Sequence, residues 1–223
     1  MSVESSNTKE RIVSSASRLF ARSGFDGTSI RDIASEAGVN IAAINYHFKH
    51  KQNLYWEIYG LAQKRIEDEM VRISQANKNV EEFVVAVFDS MNSNADMLRN
   101  TFKMILTDSI PDPDEKFEAL IDNPQKIGPP GGEILFAIID QEVGDQVAKS
   151  LKVWAVRVLF STMIHWALMH STGHFRKCSQ NNPDLSLENT RELLRLASRS
   201  TLSFIKNQSS AKSSKRANAK RRK

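Results

Sequence analysis

The stretch Ser29–Phe48, "SIRDIASEAGVNIAAINYHF", decides how the rest of the chain is read. Apolar residues recur at steps of three and four on both sides of Gly38, the pattern of two short helices rather than strands. The first follows Thr28, a good N-cap residue, and carries Ile30, Ile33, Ala34 and Ala37. Gly38 can take the positive φ of a tight turn, and Asn40 offers a second cap. Ala34 is small enough to let the two helices approach, while Val39 and Ile44 fill the angle between them. This is the spacing of a helix-turn-helix, whose second helix enters a DNA major groove. An ordinary helical hairpin also wants an alanine and a glycine, so spacing alone leaves both readings open.

The faces of the second helix follow from about 100° per residue. Ile41, Ile44 and Phe48 cluster on one side and are expected to pack on Ile33, Val39 and the preceding helix. Ala42, Ala43, Tyr46 and His47 point the other way, with Asn45 on the flank.

Working outward, a helix is expected over Thr8–Ser23, with the stripe Ile12, Val13, Ala16, Leu19 and Phe20 and a stop at Gly24. Another should run from about Lys51 to Ala76, roughly 38 Å, long enough to leave one domain and enter another. Residues 61–110 and 145–172 contain neither glycine nor proline, and apolar steps of three and four dominate both. The expected fold is all-α. Asn79 with Glu82 resembles a capping box. "ADMLRNTFKMILTDS" ends before Pro111, and residues 111–132 should hold one short helix and a mobile loop. Asp145 is the expected cap of a long apolar helix to His170. "LSLENTRELLRLASRSTLSFIK" forms the last helix, and the Ser/Ala/Lys/Arg composition beyond it reads as a disordered tail. The expected division is 1–50, a DNA-binding domain; 51–206, a helical body; and 207–223, the basic tail.

The net charge of +5 comes from that tail. Together with Lys206 just before it, it holds eight of the 31 basic residues and no acid, leaving 23 basic against 26 acidic residues elsewhere. Any signal for DNA in the body must therefore come from local placement. The start "MSVESSNTKE" lacks the profile of a secretory signal. The most apolar run, Val158–Met169, is short of the ~20 residues needed to cross a bilayer. Cys178 is a single cysteine, read as an incidental free thiol more readily than a redox group. A cytoplasmic protein with no membrane partner is expected.

The motifs go further than spacing. "GFDGTS", "IRDIASEAGV" and "YHFKHKQNL" occur in order, and the region 9–58 resembles the N-terminal domain of the tetracycline-repressor (TetR) family of transcriptional regulators. The resemblance implies that Thr28 bonds a phosphate from the start of the second helix. It implies that Tyr46 and His47 contact phosphate or base edges, and that Lys51 meets a phosphate at the start of the fourth helix. Asn40, Ile41, Ala42, Ala43 and Asn45 complete the candidate DNA-binding set. The alanines permit close approach and can touch thymine methyls. Asn45 departs from the tyrosine found in many relatives; an asparagine can bond adenine N6 and N7 or simply the nearby backbone.

For the body, the resemblance implies a homodimer and a small-molecule site. The last two helices are apolar enough to build an intersubunit four-helix bundle, or to close the monomer core. Phe88, Phe102, Phe136, Trp154, Met163, His165 and Trp166 are the candidate ligand-binding residues, although such side chains also fill ordinary cores. His165 and His170 are five apart, poor spacing for two metal ligands, and His170 reads as a surface residue near a helix end. No metal or cofactor is expected. No phosphate loop, zinc-binding His-Glu-x-x-His or nucleophile elbow supports an enzyme. The expected function is a ligand-responsive regulator, a repressor, binding a palindromic double-stranded operator and released by an effector. The alternative is a dimeric helical interaction module whose hairpin is only structural. The tail either adds salt-dependent DNA affinity or solubilises the chain.

Overall fold

A computed structural model describes residues 3–77, 79–106, 110–121 and 127–220, with only the backbone course for 3–6, 121 and 210–220. Among the described residues every regular element is helical: α1 (Val3–Ser23), α2 (Ile30–Ala37), α3 (Ile41–Phe48), α4 (Lys51–Ala76), α5 (Val80–Ser93), α6 (Ala95–Ile105), α7 (Glu115–Ile121), α8 (Gly132–Val143), α9 (Lys149–Ser171), α10 (Gly173–Asn181) and α11 (Leu187–Lys220), with a 3-10 turn at Pro183–Leu185. The all-α expectation holds. The short helix expected within 111–132 is α7. The expected end of the preceding helix and the expected mobile loop fall partly on 107–109 and 122–126, outside the described residues.

The chain divides into two compact units, Met1–Arg65 with Asp96–Pro124 and Ile66–Ala95 with Gln125–Lys223. The boundary between these units falls within α4, whereas the expected functional division lies at residue 50, and α6 and α7 group with the N-terminal helices. Three residues of α4 explain this. The Tyr55 hydroxyl donates to Met104 O at 3.0 Å, the Trp56 indole donates to Pro111 O at 3.0 Å, and Gly60 leaves room for Leu120. The core of this unit joins Ile12, Ala16, Leu19 and Phe20 of α1 to Ile33, Ile44, Phe48, Leu54 and Tyr55, and reaches Met104 and Phe117. Phe20, Phe25 and Tyr55 meet as an aromatic trio, with centroids 5.5–5.8 Å apart. Burial pushes the Tyr55 hydroxyl up to about 12, so it remains a donor at any working pH.

The second unit packs α5, α8 and α11 around α9. Phe83, Val84 and Phe88 of α5, Leu135 and Ile139 of α8, Leu159, Phe160 and Met163 of α9, and Leu194 and Ile205 of α11 are all buried. The Asn79 side chain accepts from Glu82 N–H at 2.8 Å, as its spacing predicts. Asp145 is not the cap of α9. The chain turns at Gly144, Val147 N–H bonds Gly144 O, and the helix begins after Ala148 without a side-chain cap. At 23 residues α9 is longer than its apolar run and is, among the described residues, long and apolar enough to cross a membrane. In the structure it carries a buried Lys152 paired with Asp140 and packs inside this unit.

The tail is a further correction. α11 continues without a break to Lys220, while Arg221–Lys223 lie outside the described residues. The physical reason is local. From Asn207 onward the chain holds neither glycine nor proline, and Ala, Lys and Arg are good helix formers.

Candidate nucleic-acid interface

α2 is fixed at both ends. The N-cap is Ser29, one residue after the expected Thr28: Asp32 N–H donates to Ser29 Oγ at 3.1 Å, and Ser29 N–H donates to Asp32 Oδ2 at 3.0 Å. These two bonds form a reciprocal box, and the Ser29 hydroxyl, donating to Asp32 Oδ2 at 2.6 Å, with the Ser29 N–H holds the Asp32 carboxyl below the usual carboxylate range. Thr28 is buried, and its hydroxyl donates inward to Gly24 O at 2.8 Å. The role of phosphate donor expected of Thr28 therefore does not fit its side chain.

At the other end Gly38 sits at φ 62°, ψ 42°. Val39 N–H reaches back to Ala34 O and Gly38 N–H to Ser35 O, the Schellman arrangement that ends helices on a left-handed residue. α1 reinforces it. Arg11 Nη2 donates to Ala37 O at 2.5 Å and Gly38 O at 2.9 Å, placing a cation on the negative end of α2. A Cβ on Gly38 would lie 2.8 Å from that nitrogen. Arg18 adds a second tie between α1 and α2 through Glu36 at 3.0 Å.

α3 then starts on Asn40, whose Oδ1 accepts from Ala43 N–H at 2.7 Å. Only Ile44 and Phe48 of its eight residues are buried. Ile41, expected in the core, is 39% exposed. It lies in the first turn, before the helix dips against Ile33. Asn45 is exposed beside it rather than on the flank, while Ala43 and His47 are half-buried at the edges. The outward face is therefore Ile41, Ala42, Asn45 and Tyr46. Tyr46 is 81% exposed, its ring edge-on to His47 at 5.1 Å. An aromatic left this bare on a rigid helix offers a phenol to a partner and an apolar face to a groove.

Lys51, expected at a phosphate, is partly turned into the fold. Its ammonium donates to Phe25 O at 2.8 Å and Thr28 O at 2.9 Å and lies 4.1 Å from the Phe25 ring centre. Two of its three donors are spent pinning the 25–28 turn to α4. Sequence reasoning also passed over two exposed cations: Arg31 in the first turn of α2, and Lys49 just after α3. Lys49 has φ 64°, ψ −56°, a strained conformation costing about 1–3 kcal/mol, which no residue pattern announces.

The seven candidate ligand-binding residues meet different surroundings. Phe102 belongs to the first unit and the other six to the second. Phe88 and Met163 are fully buried core residues. Phe136 and Trp166 are half-buried and His165 is exposed. Trp154 is 42% exposed and rests on Phe204, with ring centres 5.2 Å apart. The histidine the structure does bury is His170, expected at the surface. α10 folds back after the Thr172 cap and lays Phe175 on it, 4.9 Å between centres. Phe88 and Trp166 complete the enclosure, and His170 Nε2 lies 2.9 Å from Thr190 Oγ1. Burial holds its pKa below the usual histidine value.

Two capped helices joined at a left-handed glycine, with the second presenting an unburied face, define a helix-turn-helix DNA-binding domain. Residues 12–58 match the family described as bacterial regulatory proteins, tetR family. Over 110 residues the chain is 34% identical to the probable HTH-type transcriptional regulator YttP of Bacillus subtilis, covering 46% of this chain and 53% of that protein. Over 47 residues it is 38% identical to IcaR, a negative transcriptional regulator of a biofilm operon in Staphylococcus aureus, covering 21% of this chain and 25% of that one. The aligned region thus spans about half or less of these curated relatives. The solved TetR-family regulator PfmR from Thermus thermophilus shares 25% identity, with a TM-score of 0.54 over 85% of this chain and 94% of its own. The N-terminal region, residues 12–58, thus carries a DNA-binding domain of the tetR-family kind.

Proposed function

We propose that the chain is a transcriptional repressor that binds a palindromic operator as a homodimer and releases it when a small molecule enters the helical body. The observation that carries this reading is the outward face of α3: Ile41, Ala42, Asn45 and Tyr46 stand clear of the core while Ile44 and Phe48 anchor the helix. Ala42 and Ile41 suit contact with thymine methyls, Asn45 suits adenine, and Tyr46 suits a phosphate or base edge. The name of IcaR, a negative regulator, supports repression.

Dimerisation is supported by exposed apolar side chains on α9 and α11. Leu193, Leu196 and Phe204 follow one another along α11, with Trp154 of α9 against Phe204. One helix-turn-helix reads few base pairs, so two copies one helical turn apart are the usual solution. The effector reading rests on family likeness and on the aromatic enclosure of His170, a polar group set among Phe88, Trp166 and Phe175. A ligand favouring the state with the wrong spacing of α3 copies would shift the balance away from DNA. A protein of this kind works in the cytoplasm, where the chromosome lies.

The test is selection of duplexes from fragmented genomic DNA by the purified chain, followed by mobility shift and sedimentation. Recovery of sites with two inverted half-sites, bound by two chains, is the expected result. Recovery of no sequence above background, or of single half-sites bound by one chain, would refute the operator and dimer parts respectively.

A further inference from the structure

The resemblance assigns the backbone-gripping charge to Lys51, and the structure directs two of that ammonium's three donors to Phe25 O and Thr28 O. We infer that Lys49 is the cation that grips the DNA backbone at the end of α3, and that Lys51 is a positioning residue holding the 25–28 turn. The inference rests on the reading of α3 as the groove-entering helix.

Three observations converge on Lys49. Its backbone N–H donates to Asn45 O at 3.0 Å, so it stands directly at the end of the helix that exposes Ile41 and Asn45. Its conformation is costly. At φ 64° it is the one non-glycine residue with positive φ among the described residues, and His50 N–H closes on Phe48 O at 2.8 Å around it. A three-residue turn of this hand is strained, and glycine would hold it with no Cβ penalty. The turn itself gains nothing from a lysine side chain, so the outlier points to a use for the ammonium. Third, the local charge is one-sided: no acid stands between Glu36 and Glu57, while His47, Lys49, His50 and Lys51 cluster there. Lys49 is exposed, and no described residue pairs with its ammonium. A duplex carries closely spaced charges that such a cation can neutralise with release of counterions.

A competing role is complementing the negative end of α3, where any cation is favourable. The two roles separate experimentally through opposite effects on stability and binding. Wild type, Lys49→Gly, Lys49→Arg and Lys51→Met are compared by thermal melting and by fluorescence anisotropy on a duplex that the wild-type chain recovers from a random-sequence pool, titrated from low to high salt. Lys49→Gly is expected to melt at the wild-type temperature or above while binding more weakly, with log affinity against log salt shallower by about 0.9 per protomer. Lys49→Arg is expected to keep the wild-type slope. Lys51→Met is expected to lower the melting temperature. Lys49→Gly with an unchanged slope overturns the inference. So does Lys51→Met with an unchanged melting temperature and the shallower slope. If the wild-type chain recovers no duplex, the reading of α3 falls and takes the inference with it.

Discussion

Replacing Gly38 by alanine tests the joint that makes the DNA-binding unit. Two costs add. Alanine at φ 62° loses about 1–2 kcal/mol to the clash between its Cβ and the neighbouring carbonyl. The same Cβ would stand 2.8 Å from Arg11 Nη2, so the guanidinium at the end of that flexible side chain must shift, weakening its bonds to Ala37 O and Gly38 O. Hydrogen bonds from a charged donor are worth about 1.5–3 kcal/mol, and these are partly solvated, so roughly 1–2 kcal/mol is a fair figure for the pair. Together the loss is about 2–4 kcal/mol, or a fall in melting temperature of about 5–12 °C for a chain of this size. Gly38→Asn separates the terms, because asparagine tolerates the left-handed region but still meets Arg11; it should lose about half as much. In a double-mutant cycle, Arg11→Met should cost less in the Gly38→Ala background than in wild type. Circular dichroism melts and urea titrations read each of these chains. A Gly38→Ala loss below about 0.5 kcal/mol, or strict additivity with Arg11→Met, would refute the reasoning.

Tyr46→Ala should leave the melting temperature within a degree or so, because the side chain is 81% exposed. It should weaken operator binding about tenfold or more in anisotropy titrations if the phenol makes a base or phosphate contact. Lowering the pH from about 7 to 5 should destabilise the second unit. Since burial lowers the His170 pKa, the unfolded chain takes a proton near the ordinary histidine value of about 6.5 while the folded chain resists, and stability present above that value is lost as the pH falls. His170→Gln, which can still meet Thr190, should flatten that dependence in urea titrations at each pH. Leu196→Glu with Phe204→Glu should convert a dimer to monomer in sedimentation velocity without loss of helical signal, since both side chains are exposed within one chain.

Much of this protein is legible in its sequence, and the failures have physical causes. The turn is readable because glycine at a left-handed C-cap and asparagine at an N-cap are local requirements that leave local marks. The helical class is readable from period alone. Ser29 and Thr28 are both competent caps, and only the fold decides that Thr28 turns inward to Gly24 O. Lys51 looks like a free cation until the 25–28 turn is seen beneath it. The unit boundary is invisible because α4 carries no breaker and its ties to Met104, Pro111 and Leu120 are distant in sequence. His170 ends an apolar helix, and nothing local reveals that α10 returns to cover it. The Lys49 turn has no sequence signature; only the backbone angles expose it.

The way α3 is held has an evolutionary consequence. Two side chains, Ile44 and Phe48, anchor the helix, while Ile41, Ala42, Asn45 and Tyr46 lie outside the buried core. Under the proposed reading of that face, changes at those four positions redirect the protein to a new promoter at little structural risk. The same economy makes the domain a convenient chassis for orthogonal genetic switches: a small library at the four sites explores new addresses, and nearly every member should still fold.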